Sequence, residues 1–329
     1  MKNTYFKIDP WKIIEKDFDP AKVKASESIF SLGNGAMGQR GNFEEQYTGE
    51  SFQGSYIGGI YYPDKTKVGW WKNGYPEYFA KVPNAPSWIG IHILMGDLPL
   101  DLNKCLEIKN FRRELDMKTG IYTRSFEAQL SKYNRVGVKV KRFLSMEESA
   151  LGIIHYELKA LRGSSELSID SFIDGHVKNQ DSNWNDTFWA HKNKINSEKI
   201  ILLHSQTLKT EFDVATYAYT QLFDHEGKSL GNFSNSEKDY RISQNKKYFL
   251  NEGTDCTIVK FGGHINGMNH DVSDFENIAN RLVKEASEKG FDELEKKHSE
   301  AWASIWDQSD IQIDGNDKAQ QGIRFNIFN

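Results

Sequence analysis

From Ser28 to Gly262 the chain runs in short segments that alternate apolar and polar residues or are rich in β-branched and aromatic ones, punctuated by Gly, Asn, Asp and Pro. Period two is the mark of a strand, because successive strand side chains point to opposite faces. Segments 88–94, 121–126, 135–143, 152–158, 167–173, 200–203, 215–220 and 255–261 carry it most clearly. In 135–143, Val136, Val138 and Val140 share one face while Arg135, Lys139 and Lys141 share the other, as a sheet with one solvated face requires. Many short strands with no clear helix between them predict antiparallel sheets stacked face to face. The expected fold is therefore mainly β, a large antiparallel β-sandwich.

The pattern changes near His270. From Ser273 a helical stripe carries Phe275, Ile278, Leu282 and Ala286, and Lys289-Gly290 ends it. A second stripe carries Phe291, Leu294, His298, Ala301 and Ile305, with Trp302 and Trp306 beside it. His298 on such a stripe reads as a packed histidine, not a ligand. After the turn 314–317 an Asx residue caps a last run, Lys318 to Phe328, whose Phe325, Ile327 and Phe328 need a partner surface. That run has a start signal and no stop signal, so the chain is expected to be the front portion of a larger protein. The last helix is expected to fray or to be held by a neighbouring molecule; its alternative is docking on its own domain. The expected divisions are residues 1–270 for the sandwich, 271–309 for a helical linker and 310–329 for the start of a further domain.

The net charge of −4 comes from 42 basic and 46 acidic residues mixed along the whole chain, so no strong field is present to attract nucleic acid or an anionic membrane. Cys105 and Cys256 stand far apart with no His or Cys at ligand spacing, which points to two buried thiols and against a disulfide scaffold or zinc site. The first ten residues lack the apolar stretch of a signal peptide, and no run of about eighteen apolar residues occurs. Cytoplasmic residence is the resulting expectation. The sequons at Asn185 and Asn232 carry little weight without a secretion signal.

Gly33-Asn34-Gly35-Ala36-Met37-Gly38 fits G-x-G-x-x-G, but Gly41 and Asn42 interrupt any following helix and no βαβ unit surrounds it. Dinucleotide binding is thereby excluded. The glycines leave a loop that presents Arg40, Asn42, Glu44 and Glu45, either to a polar site or in a tight multi-turn where Arg40 pairs with Glu44 or Glu45. A second cluster holds Trp70, Trp71, Tyr75, Tyr78 and Phe79, followed by Trp88; Trp184 and Trp189 resemble it. Exposed rings of this kind suit the C–H faces of a sugar and equally suit burial against another domain. With 46 acidic residues, no catalytic carboxylate pair stands out. No nucleophile elbow, P-loop or metal-type histidine spacing is present.

Segment 26–45, with Ser31-Leu32-Gly33-Asn34-Gly35 at its heart, resembles the N-terminal signature of glycoside hydrolase family 65, the maltose, kojibiose and trehalose phosphorylases. Loop 82–90 is similar to that family's next landmark. Trp302 to Trp306, Ile311 to Gly315 and Gln320 to Phe328 look like its helical linker entering an (α/α)6 barrel. The resemblance implies that residues 310–329 begin a truncated catalytic barrel, and that the parent enzyme takes a disaccharide, maltose first, with inorganic phosphate as co-substrate and no cofactor. A barrel glutamate beyond Asn329 would be the general acid, so no catalytic residue and no metal site are expected on this chain. The missing barrel is its implied partner, and the parent is expected to be a homodimer. The chain alone is expected to be inactive and to bind no sugar strongly. Alternatives are a free-standing carbohydrate-binding sandwich whose platform is 70–88, a hydrolytic parent of the same family, and a complete glycosidase with carboxylates inside the sandwich.

Overall fold

A computed structural model of the chain describes residues 5–67 and 74–329. Nine antiparallel strands form one sheet in the order Lys12–Lys16, Glu107–Asp116, Ile121–Gln129, Arg135–Leu144, Gly152–Arg162, Asp255–Asn266, Asp213–Asp224, Ile201–Thr207 and Trp189–Asn196. Five more, Ser234–Lys238, Arg241–Leu250, Ser165–Asp174, Ile91–Met95 and Leu98–Pro99, form a second antiparallel sheet. The two pack face to face as the sequence pattern predicts. Tyr156, Leu158 and Ile258 of the large sheet meet Ile93, Leu167 and Ile169 of the small one in a continuous core. Each such side chain stabilises the fold by roughly 1.5–3 kcal/mol when fully buried.

The outer face of the large sheet is also covered. Helix α1 is Val23–Ile29, α2 is Phe275–Ser309 and α3 is Asp317–Phe328. Helix α2 lays Phe275, Ala279, Leu282 and Val283 on Ile200, Leu202, Ala215 and Tyr217. Across a kink it lays Ala286 on one side and Phe291 and Leu294 on the other against Phe143, Ile153 and Phe261. The kink sits at Gly290, whose φ of 77° and ψ of 168° belong to a region that only glycine takes readily. After the kink Trp302 and Trp306, in place of Ala301 and Ile305, complete the buried stripe, since the larger rings remove more apolar area from water. His298 is packed as expected. It donates from Nε2 to the Gly120 carbonyl at 3.2 Å, accepts the Met146 N–H at Nδ1 at 3.3 Å, and stacks on Phe143.

Helix α3 differs from the frayed end expected of it. Asn316 caps it by accepting the Ala319 N–H at 3.0 Å. Phe328 stacks on Trp302 with ring centroids 4.7 Å apart, and Arg324 lies 3.6 Å over the Trp11 ring while holding both Asp310 oxygens at 2.8 Å. Gln321 donates to the carbonyls of Lys7 and Lys12. The helix is thus docked on its own domain, because Trp11 and Trp302 already supply an aromatic surface.

Trp88 also departs from expectation. It is 1% exposed, with its ring lying where a Cβ at Gly152 or Gly262 would stand only 2.5 Å and 2.8 Å away. Those two glycines pair across neighbouring strands and together open the slot that the indole fills. A ring so enclosed contacts neither a sugar nor another domain. Cys256 is buried and Cys105 half-buried, both as free thiols.

Candidate functional site

Antiparallel pairing brings the end of Ser165–Asp174 beside the starts of Ile91–Met95 and Arg241–Leu250, with Asp174 opposite Arg241 and Asp170 opposite His92. The Arg40–Glu45 segment closes over this end, its Glu44 carbonyl accepting the Ile91 N–H at 2.7 Å. Between them lies a polar cleft of about 220 Å³, lined by Gln46, Gln53, Ser87, His92, Asp174 and Arg241 among others. A neighbouring groove of about 410 Å³ shares Gln53 and Asn84 with it and is walled by Arg40 and Phe52.

The loop is pinned from beneath by arginines on the inner face of the large sheet. Arg142 donates from Nη1 to Glu44 Oε1 at 2.6 Å and to the Asn42 carbonyl at 3.1 Å, and from Nη2 to the Arg40 carbonyl at 3.0 Å. Arg124 Nη2 bridges Glu44 Oε2 at 2.7 Å and Glu45 Oε2 at 2.6 Å, while the Tyr156 hydroxyl donates to Glu45 Oε1 at 3.0 Å. Both arginines and both carboxylates have no exposed side-chain surface. Burial alone would lower the Arg124 pKa, but the Glu45 and Glu44 carboxylates more than offset it and hold it well above the ordinary arginine value. Carboxylates engaged in this way at both oxygens are structural anions, not general acids.

The expected pairing of Arg40 with Glu44 or Glu45 does not form. Arg40 points the other way and donates to the Lys24 carbonyl at 3.2 Å and Ser28 Oγ at 2.6 Å, because Arg124 and Arg142 already occupy the carboxylates. Asn42 is buried and ties the loop to the facing wall, donating to the Phe52 carbonyl at 2.9 Å. Gly33 to Gly38 is a hairpin turn. Asn34 Oδ1 accepts the Ala36 and Met37 N–H groups, and Gly35 takes a φ of 85°.

Around the cleft itself the polar groups are less engaged. Asp174 uses one oxygen, Oδ1, on the His176 backbone and imidazole. The side chains of Gln46, Gln53, Ser87 and His92 have no hydrogen-bond partner among the described residues. Burial, reinforced by the nearby Arg241 charge, pushes the His92 pKa down to about 4. Arg241 itself lies 3.4 Å over the Phe172 ring and donates to Asp170 Oδ2 at 2.5 Å. Among the described residues no group of three or more His, Cys, Asp and Glu side chains is placed to hold a metal ion.

A family model for Glycosyl hydrolase family 65, N-terminal domain, matches residues 13–305. The chain belongs to glycosyl hydrolase family 65. It is 36% identical over 323 residues to maltose phosphorylase of Bacillus subtilis (strain 168), covering 98% of this chain and 42% of that protein. It is 27% identical over 345 residues to kojibiose phosphorylase of Thermoanaerobacter brockii, covering 99% and 41% respectively. Among solved structures, a putative kojibiose phosphorylase from the human microbiome superposes with a TM-score of 0.86 at 28% identity, over 98% of this chain and 42% of that one. The chain therefore spans less than half the length of the family 65 relatives it matches.

In this family 65 domain the aromatic residues singled out from sequence separate into two groups. Trp88 and Trp189 are buried, the latter donating from Nε1 to the Asn84 carbonyl at 2.8 Å. Tyr75, Tyr78, Phe79 and Trp184 are exposed around the hairpin Tyr62–Lys65 and Tyr78–Lys81. Trp70 and Trp71 lie outside the described residues. Arg124, Arg142 and His92 escaped the sequence reading. Arg124 and Arg142 stand at the inward phase of their strands, in line with Tyr122 and Phe126 and with Val136, Val138 and Val140. A charge on an apolar phase was the available signal.

Proposed function

We propose that this chain is the non-catalytic N-terminal domain of an inverting disaccharide phosphorylase whose substrate is an α-glucoside, maltose first. The observation that carries the reading is the match along almost the whole chain to a maltose phosphorylase, a match that covers 42% of that protein. In such an enzyme phosphate oxygen attacks the anomeric carbon as the glycosidic C–O bond breaks. A carboxylic acid gives its proton to the departing sugar oxygen. Phosphate is its own nucleophile, so one acid suffices where hydrolysis would need a second carboxylate to activate water. Glu44 and Glu45 cannot take the acid's part while held by Arg124 and Arg142. The acid is assigned to the remainder of the parent.

The domain's contribution is then a scaffold. The pinned Arg40–Glu45 segment is offered towards the site, and Tyr75, Tyr78, Phe79 and Trp184 are offered as an apolar face for the remainder of the parent or for a second subunit of a homodimer. No helix among the described residues is long and apolar enough to cross a membrane, and a cytoplasmic setting where phosphate is abundant fits the reaction. The test is release of glucose 1-phosphate from maltose and phosphate. The parent enzyme should show it and the purified chain should not; activity in the chain would overturn the assignment.

A further inference from the structure

The polar cleft differs from the ion lattice beneath it in one respect: several of its side chains keep polar atoms within reach of a ligand and without protein partners among the described residues. Ser87 Oγ, the His92 imidazole, the Gln46 amide and Asp174 Oδ2 converge on about 220 Å³, below the roughly 300–1,000 Å³ of sites for drug-sized molecules. The space therefore suits a ligand about the size of one sugar ring.

Charge decides the ligand's class. Arg241 lines the cleft, and Asp170 neutralises it at 2.5 Å. Asp174 adds a further negative charge across the cleft. The buried Glu44 and Glu45 are balanced by Arg124 and Arg142. His92 is uncharged at neutral pH, so one ring nitrogen donates and the other accepts. A phosphate would meet no surplus positive charge here and a carboxylate facing it. A neutral polyol, in which each hydroxyl both donates and accepts, matches donors on Gln46 and Ser87 and acceptors on Asp174 and His92.

We propose that the cleft bounded by Gln46, Ser87, His92, Asp174 and Arg241 is a subsite for one neutral hexopyranose unit. The choice of a hexose among neutral polyols rests on the disaccharide phosphorylase reading; the choice of a neutral ligand over an anion rests on the cleft alone. A few neutral hydrogen bonds give weak binding, with a dissociation constant on the order of 1–10 mM.

The test is a titration of the isotopically labelled chain with glucose, maltose, inorganic phosphate and glucose 1-phosphate, followed through the His92 ring nitrogens by NMR. The expected result is a saturable His92 shift with glucose and with maltose, and none with inorganic phosphate. Ser87→Ala and Gln46→Ala should each weaken binding about 2- to 10-fold, the range of one neutral hydrogen bond, with unchanged circular dichroism. Absence of a saturable shift, affinity in both variants unchanged from that of the parent sequence, or tighter binding of phosphate than of glucose would each overturn the subsite. Phosphorolysis by the parent enzyme is measured separately, so loss of the subsite and loss of the phosphorylase reading are distinguishable.

Discussion

Replacing Glu44 by glutamine keeps the side chain's shape and removes one charge from a cluster in which two carboxylates balance two arginines without exposed side-chain surface. Arg124 would keep Glu45 at 2.6 Å. The glutamine amide oxygen could accept from Arg142 or from Arg124 but its amide nitrogen would then face the other guanidinium, and with Arg142 still held by the carbonyls of Arg40 and Asn42 the cluster would hold a net buried positive charge. Removing one partner of a buried ion pair costs about 3–5 kcal/mol, and the two remaining carbonyls place Glu44→Gln at about 3 kcal/mol. Against a total stability of about 5–15 kcal/mol for a domain, that is a large fraction.

The assay is urea unfolding at neutral pH followed by both circular dichroism and tryptophan fluorescence. Coincidence of the two curves licenses a single free energy. Adding Arg142→Met restores neutrality, so the double variant should be more stable than the sum of the single losses by at least about 1 kcal/mol. A Glu44→Gln variant within about 0.5 kcal/mol of the parent sequence, the range of an ordinary surface change, would refute the view that Glu44 is the counterion of Arg142.

Trp88→Ala empties a fully enclosed slot and should cost about 3–5 kcal/mol in the same assay, whereas Trp184→Ala, 51% exposed, should cost under about 1 kcal/mol. Gly290→Ala has room for its methyl group but not for the backbone angle, so a loss of about 1–3 kcal/mol is expected; Gly322→Ala, with open space around it on α3, should gain about 0.5–1 kcal/mol. His298 falls from 6.5 to about 4 through burial, opposed by its bond to Gly120, so between those pH values the unfolded chain binds a proton that the folded chain does not. This group's contribution is then complete above about pH 6.5 and falls by about 3 kcal/mol as pH drops towards 4, beside those of the lowered His92 and His264; His298→Gln should make the urea midpoint less steep across that window, and an unchanged slope would remove His298 as a cause.

The strands were legible because their period records a local choice between water and core. Val136, Val138 and Val140 face inward where expected. What the period does not carry is partnership across sequence. Gly152 and Gly262 pair across 110 positions, and only that pairing makes a slot for Trp88, whose loop-like neighbours read as surface. The docked α3 escaped for the same reason. Its apolar end was visible in sequence, but Trp11 and Trp302, which receive it, lie in segments that nothing local ties together. The candidate site was half legible: Arg40, Asn42, Glu44 and Glu45 do line the clefts, yet the arginines that engage the two carboxylates belong to strands some 80 to 100 residues further on.

That division of the polar groups gives a physical criterion for where function lies on this domain. A buried ion lattice is a costly way to gain stability, since well-packed apolar residues of similar volume are often as good or better. What the lattice does supply is a fixed position for the Arg40–Glu45 backbone, held by Arg142 at two of its carbonyls. Fixing that backbone fixes one wall of the cleft. The groups left without partners, Gln46, Ser87 and His92, are gathered on that same cleft. Side chains engaged at every oxygen hold the shape, and those still able to hydrogen-bond are the ones available to a ligand. On this reasoning Glu44→Gln should weaken glucose binding at His92 even though Glu44 itself offers the sugar no free oxygen.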